Sequence, residues 1–256
     1  MELNFNLQNS HNIKGTNYFC TFFCYFTYNQ FITEMKKEKS EKDTPFWEKY
    51  IWNFRDLANL NPNIIEGKLF RSNLLASVQN KHDIVKFLEE FKISTILDLR
   101  ANHEVRRIKY KPEIIKQFNY INIAFDPYNY SKKFSKQFVQ ISEAEIAYNY
   151  FIKECKPQIK RVFDFISNNF ENPLVIHCIA GKDRTGIIVT LIHLLSGLNY
   201  EEAKVDYLAT NHAIDEKFIQ IVINEIIKYQ GIENYLYSCK IEDITIKSIK
   251  KQLFKI

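Results

Sequence analysis

The 256-residue chain is 46% hydrophobic and 25% charged, an ordinary globular balance at a length that buries a core without covalent staples. Its formal net charge of +5 excludes a dedicated nucleic-acid binder, although a mild positive field favours anionic substrates. Five cysteines (Cys20, Cys24, Cys155, Cys178 and Cys239), odd in number and widely scattered, exclude a disulfide framework; they favour a reducing, cytoplasmic compartment and lack zinc-ligand spacing.

Residues 1–44 differ from the rest. An Asn-rich start leads to the aromatic run Tyr18 to Phe26, then to a dense charge run from Met35 to Asp43. The aromatic run falls short of the ~18 apolar residues of a membrane span. As a signal-peptide core it has only Lys14 before it and no small-residue cleavage site after it, so an exported form is the secondary reading. The reading is a flexible tail, with Met35 as an alternative start, ahead of one domain over 45–256.

From Phe46 onward the pattern is regular. Lys68 to Arg71 predicts a short strand, and the apolar spacing of Lys81 to Phe91 a helix with one buried face. Ser94 to Leu99 and Phe118 to Phe125 predict buried strands, the second ending in a turn at Pro127. Residues 126–143 are aromatic, basic and irregular. Ile146 to Phe170 predicts a long helix that Pro157 bends or splits. Leu174 to His177 is a wholly apolar strand with a histidine at its end, and Arg184 to Leu195 an apolar helix. Further helices are predicted over 200–209, 215–229, 233–237 and 242–254. Strands alternating with helices predict an α/β fold, a central, mostly parallel β-sheet flanked by helices, with a helical C-terminal third.

The segment Leu174 to Gly186 (LVIHCIAGKDRTG) carries the chemistry. A strand ends at His177, a short loop follows and a helix begins near Arg184, so loop amides and a helix N-terminus converge on one point. Such a nest binds a phosphate through Ile179, Ala180, Gly181 and Lys182. Gly181 and Gly186 permit close backbone approach. Positive potential at its centre favours the thiolate of Cys178, an in-line nucleophile for phosphorus that gives a phosphocysteine intermediate. Arg184, six residues on, is the bidentate clamp for the phosphoryl oxygens. Thr185 is placed to donate its hydroxyl to the cysteine sulfur, and Asp183 to protonate the leaving oxygen. His177 fixes the loop by hydrogen bonding and supports the thiolate. Loop amides and Arg184 do the work of a metal, so no cofactor is expected.

This loop resembles the phosphate loop, Cys-x5-Arg, of the protein tyrosine phosphatase superfamily. Its full form, HCIAGKDRTG, is similar to that of the bacterial-type tyrosine and dual-specificity branch. Asn53 to Leu57, Leu69 to Ser72, Asp98 to Arg100 with Glu104, and Asp206 to Leu208 with Asn211 also resemble that branch, so the likeness runs from about Phe46 to Phe254. It implies Cys178 as nucleophile, Arg184 as clamp and Asp183 as the acid within the loop, although Asp126-Pro127 offers a second acid loop. The Lys182-Asp183-Arg184 triplet is similar to that of myotubularin-type lipid phosphatases, which implies phosphoinositides as alternative substrates to phosphotyrosine proteins.

Blander readings stand beside these. Asp98 and Arg100 read as a structural ion pair under the site, and Arg55, Arg71 and Glu104 as buried pairing. His82, His103, His193 and His212 lack ligand spacing and read as structural or exposed. Tyr128 to Phe138, with Tyr130, Lys132, Lys133 and Lys136, reads as a lid, a surface for acidic headgroups or an ordinary loop. Two rival functions remain: a rhodanese-type sulfurtransferase, which Thr185 and the Lys-Asp-Arg run oppose, and an inactive phosphate-binding module, which normally lacks the cysteine or arginine kept here.

Overall fold

Side chains alternate between the two faces of a strand, so a strand that is apolar throughout must be covered on both. The computed structural model, which describes residues 50–78, 81–130, 134, 136–137, 141–210 and 214–255, shows this in its sheet. The strands are β1 (Arg55–Asp56), β2 (Leu69–Ser72), β3 (Thr95–Asp98), β4 (Asn119–Asn122) and β5 (Leu174–His177). Their spatial order is β1-β2-β5-β3-β4, with β1 antiparallel to β2 and the other pairs parallel. Leu69, Leu97, Leu174 and Ile176 enter one apolar core, and Phe70, Ile96 and Val175 the other. The same alternation, continued past the strand, sends Cys178 to the first side while His177 shares the side of Val175.

Helix α1 (Lys81–Glu90) covers the second face with Ile84, Phe87 and Leu88. Two short helices, α2 (Asn102–Arg107) and α3 (Pro112–Gln117), lie between β3 and β4. The first face is covered by α4 (Glu143–Lys153), α5 (Lys156–Asn168), α6 (Asp183–Leu195), α7 (Tyr200–Leu208), α8 (Glu216–Lys228), α9 (Ile232–Ser238) and α10 (Asp243–Leu253). Helix α5 buries Ile159, Val162, Phe163 and Ile166, and α8 buries Ile219, Val222, Ile223 and Ile226, the i, i+3, i+4, i+7 spacing of a one-sided helix. Helix α6 differs: every residue from Arg184 to Leu195 is buried, as an all-round apolar helix must be. The chain end is tied back by Ile65 N to Leu253 O at 2.9 Å and Lys255 N to Asn63 O at 2.7 Å.

The expected α/β architecture and helical C-terminal third are present. The long helix expected over 146–170 is two helices, broken at Glu154–Cys155, with Pro157 in the first turn of α5, where its missing N–H costs no hydrogen bond. Strand β1 and helices α2 and α3 were not expected, because two to six residues are too few to show a period. Among the described residues no helix is long and apolar enough to cross a membrane. The expectations for residues 1–44, including Cys20, Cys24 and Met35, and those for Lys132, Lys133, Asn211, His212 and the side chain of His82, lie outside the described residues.

Packing predicts unequal costs for two apolar truncations. Phe163→Ala removes a side chain that is 0% exposed and should lower unfolding free energy by about 3–5 kcal/mol. Ile244→Ala acts where the side chain is 72% exposed and should stay within about 0.5 kcal/mol of the parent. Urea unfolding followed by circular dichroism measures both.

Candidate active site

Strand register brings the site together. Ser72, His177, Asp98 and Asn122 lie side by side at the carboxyl edge of the sheet, where open α/β sheets bind ligands. The loop Cys178 to Lys182 leaves the central strand at this edge and enters α6. Cys178 and Gly181 are buried, while Ile179, Ala180, Lys182 and Asp183 are half-buried at the mouth. Gly181 has φ +64°, and a Cβ there would stand 2.2 Å from Ser72 O, so only glycine fits. A Cβ on Gly186 would meet the Tyr207 ring at 2.8 Å.

Each carbonyl of the loop has a donor outside it. The Cys178 carbonyl takes Nδ1–H of His177 at 3.0 Å, and that of Ile179 takes Leu74 N–H at 2.9 Å. The Asn53 Nδ2 amide donates to Ala180 O at 3.3 Å and Gly181 O at 3.2 Å. Arg71 Nη2 also donates to Gly181 O at 2.5 Å. In a trans peptide the N–H points opposite to the preceding C=O. The amides of residues 179 to 182 therefore point away from these four anchors, into the ring. That is the disposition an anion-binding nest requires.

The anchors are themselves held. Asp206, on α7, pairs with Nη1 of Arg71 and with Nε of Arg55 at 2.7 Å, and its carbonyl takes Arg55 Nη2 at 2.5 Å. Arg55 Nη1 reaches Asn53 Oδ1 at 3.1 Å. Asn53 sits at φ +60°, a left-handed conformation that asparagine tolerates better than most residues. Burial opposes a charge on Asp206, but Arg71, His193 and Arg55 hold its carboxyl well below the usual range. Burial pushes Arg71 below an arginine's ordinary value while Asp206 pulls it back up.

On the other face, His177 accepts the Tyr110 hydroxyl on Nε2 at 2.8 Å, because its Nδ1–H is committed to the Cys178 carbonyl. Burial lowers the basicity of the imidazole, with Asp98 acting the other way. The ring shapes the loop through its hydrogen bond to the Cys178 carbonyl. Asp98 and Arg100 form a fully buried bidentate pair at 2.6–3.0 Å, and Tyr120 and the Ile108 carbonyl complete their hydrogen bonding. They lie under the loop, where the ion-pair reading put them.

Arg184 is not an open fork. Its Nη1 and Nη2 engage Glu104 at 2.5 and 2.9 Å, and Nη1 also reaches Phe125 O at 3.3 Å. Glu104 Oε2 accepts Ala101 N–H at 2.7 Å, which moors the carboxylate at the start of α2. Burial raises the Glu104 pKa, but Arg184 and these hydrogen bonds outweigh it and leave the carboxyl below its usual value. Thr185 Oγ1 is buried and has no hydrogen-bond partner among the described residues, so the bond expected from it to the Cys178 sulfur is absent. Lys182 Nζ lies 4.0 Å from Asp183 Oδ1. Asp183 Oδ1 accepts the Tyr148 hydroxyl at 2.6 Å.

Asp126 Oδ1 accepts Tyr128 N–H at 3.0 Å, and its Oδ2 lies 3.7 Å from His103, a half-exposed pair. In the aromatic segment Tyr130 and Phe134 pack against Tyr150 at 5.8 and 5.7 Å between ring centroids. Those rings anchor the segment to α4 rather than standing open to stack on a ligand. His193 is buried beside Asp206, and His103 is exposed.

The bracing residues Asn53, Arg55, Arg71, Asp206 and Tyr207 had been read as buried pairing or bare resemblance, and Tyr110 and Tyr148 had no reading at all. One signal was present: Arg71 stands inside an apolar strand, and a buried charge requires a partner. Nothing local identified Asp206, 135 residues away, as that partner.

Asp206→Asn leaves the buried Arg71 and the half-buried Arg55 guanidinium undercompensated and should cost about 3–5 kcal/mol at pH 7. Because the Asp206 pKa is depressed on folding, its contribution is full above the unfolded value of about 4 and is lost as pH falls toward the folded one. The variant should therefore lose less stability than the parent between pH 5 and pH 3, read from urea midpoints.

The chain is similar to several known proteins. The model of the tyrosine phosphatase family matches residues 48–227. Triple specificity protein phosphatase PtpB of Mycobacterium tuberculosis is 25% identical over 193 residues, 64% of this chain and 68% of that protein. A tyrosine-protein phosphatase of Nostoc commune is 36% identical over 69 residues, 27% of this chain and 24% of its own length. The crystal structure of P. aeruginosa TpbA aligns with a TM-score of 0.43 at 11% identity, covering 68% of this chain and 88% of that one. With the family model spanning well over half of its residues, phosphate loop included, this chain belongs to the tyrosine phosphatase family.

Proposed function

We propose that this phosphatase hydrolyses phosphate monoesters through a phosphocysteine intermediate on Cys178, with phosphotyrosine in proteins as its main substrate. The observation that carries the reading is the outward tethering of the loop carbonyls around a buried free cysteine. The inward amides of residues 179 to 182, together with the N-terminus of α6, neutralise a dianionic phosphoryl group and hold its oxygens. Sulfur attacks phosphorus in line with the ester oxygen, the P–O bond breaks, and the leaving oxygen takes a proton from Asp183. Water then attacks the phosphocysteine, giving a proton to the Asp183 carboxylate left by the first step, the S–P bond breaks, and the thiolate departs with inorganic phosphate released. Arg184 addresses the phosphoryl oxygens with the guanidinium edge that Glu104 does not occupy, and Glu104 keeps the plane of the fork in place. The catalytic unit is residues 45–256, with 1–44 as an appended tail; the family match beginning at residue 48 supports that division.

Asp183 is preferred as the acid because it opens α6 at the mouth of the loop and its Oδ1 is held by Tyr148. Asp126 is engaged by Tyr128 N–H and faces His103. The triple specificity named for the Mycobacterium relative supports action on more than one class of phosphoester. Phosphoserine and phosphothreonine are the further substrates of this reading.

Two measurements test the reading. Turnover of a phosphotyrosine peptide should exceed that of a phosphoserine peptide and of short-chain phosphoinositides. Cys178→Ser should abolish it by several orders of magnitude while retaining the fold and phosphate binding. Equal or greater turnover of phosphoinositides would reverse the substrate assignment, and an active serine variant would remove the covalent step. For the acid, Asp183→Asn should lower kcat on the order of 100-fold and remove the basic limb of the pH–rate profile. If Asp126→Asn alone does so, the acid is Asp126.

A further inference from the structure

The hydroxyl contacts behind Asp183 form a chain with a fixed direction. Tyr148, on α4, donates its single proton to Asp183 Oδ1 at 2.6 Å. The Tyr148 and Tyr207 oxygens are 2.9 Å apart, so with that proton committed, Tyr207 must be the donor to Tyr148. The order is Tyr207 O–H to Tyr148 O–H to Asp183, from α7 through α4 into the mouth of the loop. Both rings are set by packing. Tyr148 is 2% exposed and stacked on Phe218 at 5.2 Å, and Tyr207 is fully buried with its edge against Gly186. Burial, then Asp183, raises the Tyr148 pKa far above normal, and burial raises that of Tyr207, so both hydroxyls keep their protons.

We infer that Tyr148 and Tyr207 are positioning residues for the proton transfer: their hydroxyl chain occupies Oδ1 of Asp183 and presents Oδ2 to the leaving oxygen. This rests on Asp183 as the acid. One oxygen tied to a rigid donor leaves the other for the reacting proton, and the carboxyl plane cannot turn without breaking the bond to Tyr148. The other groups facing Asp183 are Lys182, 4.0 Å away on the same loop, and Arg184, already paired with Glu104. Tyr207 also feels Asp215 and Arg71 at its far end. Deleting the Tyr148 hydroxyl releases Oδ1 and lets the carboxyl turn, so proton delivery to the leaving oxygen weakens.

The test compares Tyr148→Phe, Tyr207→Phe and Asp183→Asn on p-nitrophenyl phosphate and on phenyl phosphate, whose poorer leaving group needs the acid more. For Tyr148→Phe we expect a kcat loss of roughly 10-fold on phenyl phosphate and a smaller one on p-nitrophenyl phosphate, with KM unchanged within about 2-fold. Tyr207→Phe should give the same pattern, weaker, and it decides the matter if Tyr148→Phe does not fold. Equal losses on both substrates, while Asp183→Asn shows a loss that depends on the leaving group, would overturn the positioning role alone. If Asp183→Asn itself shows no such dependence, the acid assignment fails and the inference falls with it.

Discussion

The structure depends on where the carbonyl oxygens of one short loop are held. A free loop would turn carbonyls and amides indiscriminately toward a ligand, and a phosphate would meet as much repulsion as attraction. Here the carbonyls of Cys178, Ile179, Ala180 and Gly181 are drawn outward by His177, Leu74, Asn53 and Arg71. Peptide planarity then aims the amides inward. On the proposed reading, binding capacity for an anion is a consequence of anchoring at the back of the loop, preorganised before any ligand arrives.

That anchoring explains why so much charge lies inside a small domain. Asp206, Arg55 and Arg71 make one cluster behind the loop, Asp98 and Arg100 a second below it, and Glu104 and Arg184 a third at its mouth. Burying such groups costs more than packing hydrocarbon in their place, so stability alone does not account for them. Each pair fixes an atom of the site at low mobility: the Gly181 carbonyl by Arg71, the plane of Arg184 by Glu104. The carboxylates are stabilised in their ionised form, and their contribution fades in acid.

The fold serves this purpose by register. Pairing of β5 with both β2 and β3 sets Ser72, His177 and Asp98 in one row, and the alternation of the strand separates His177 from Cys178. The histidine faces a polar pocket with Tyr110, whereas the cysteine faces the side where α6 begins. Helix α6, buried all round, cannot shift without disturbing both the sheet and the C-terminal helices, so its N-terminus is a fixed reference for Asp183 and Arg184.

Local patterns in the chain determined a good deal by themselves. Short apolar runs identified β2 to β5 and period-3.6 spacing most of the helices, because burial is written in neighbouring residues. The loop was legible for the same reason: Cys178, Gly181, Arg184 and Gly186 act within nine positions of one another. Two-residue β1 and the six-residue helices were not, being too short to carry a period. Nor was the partner of Arg71 or of Arg184, since Asp206 lies 135 residues and Glu104 80 residues away in sequence. Tyr148 gave no sign of its contact with Asp183, for a buried tyrosine in a helix reads as core until another helix brings it a carboxylate. Short-range chemistry follows from sequence because covalent spacing dictates it; long-range hydrogen bonding follows only from how the layers pack, and that is decided by tertiary structure.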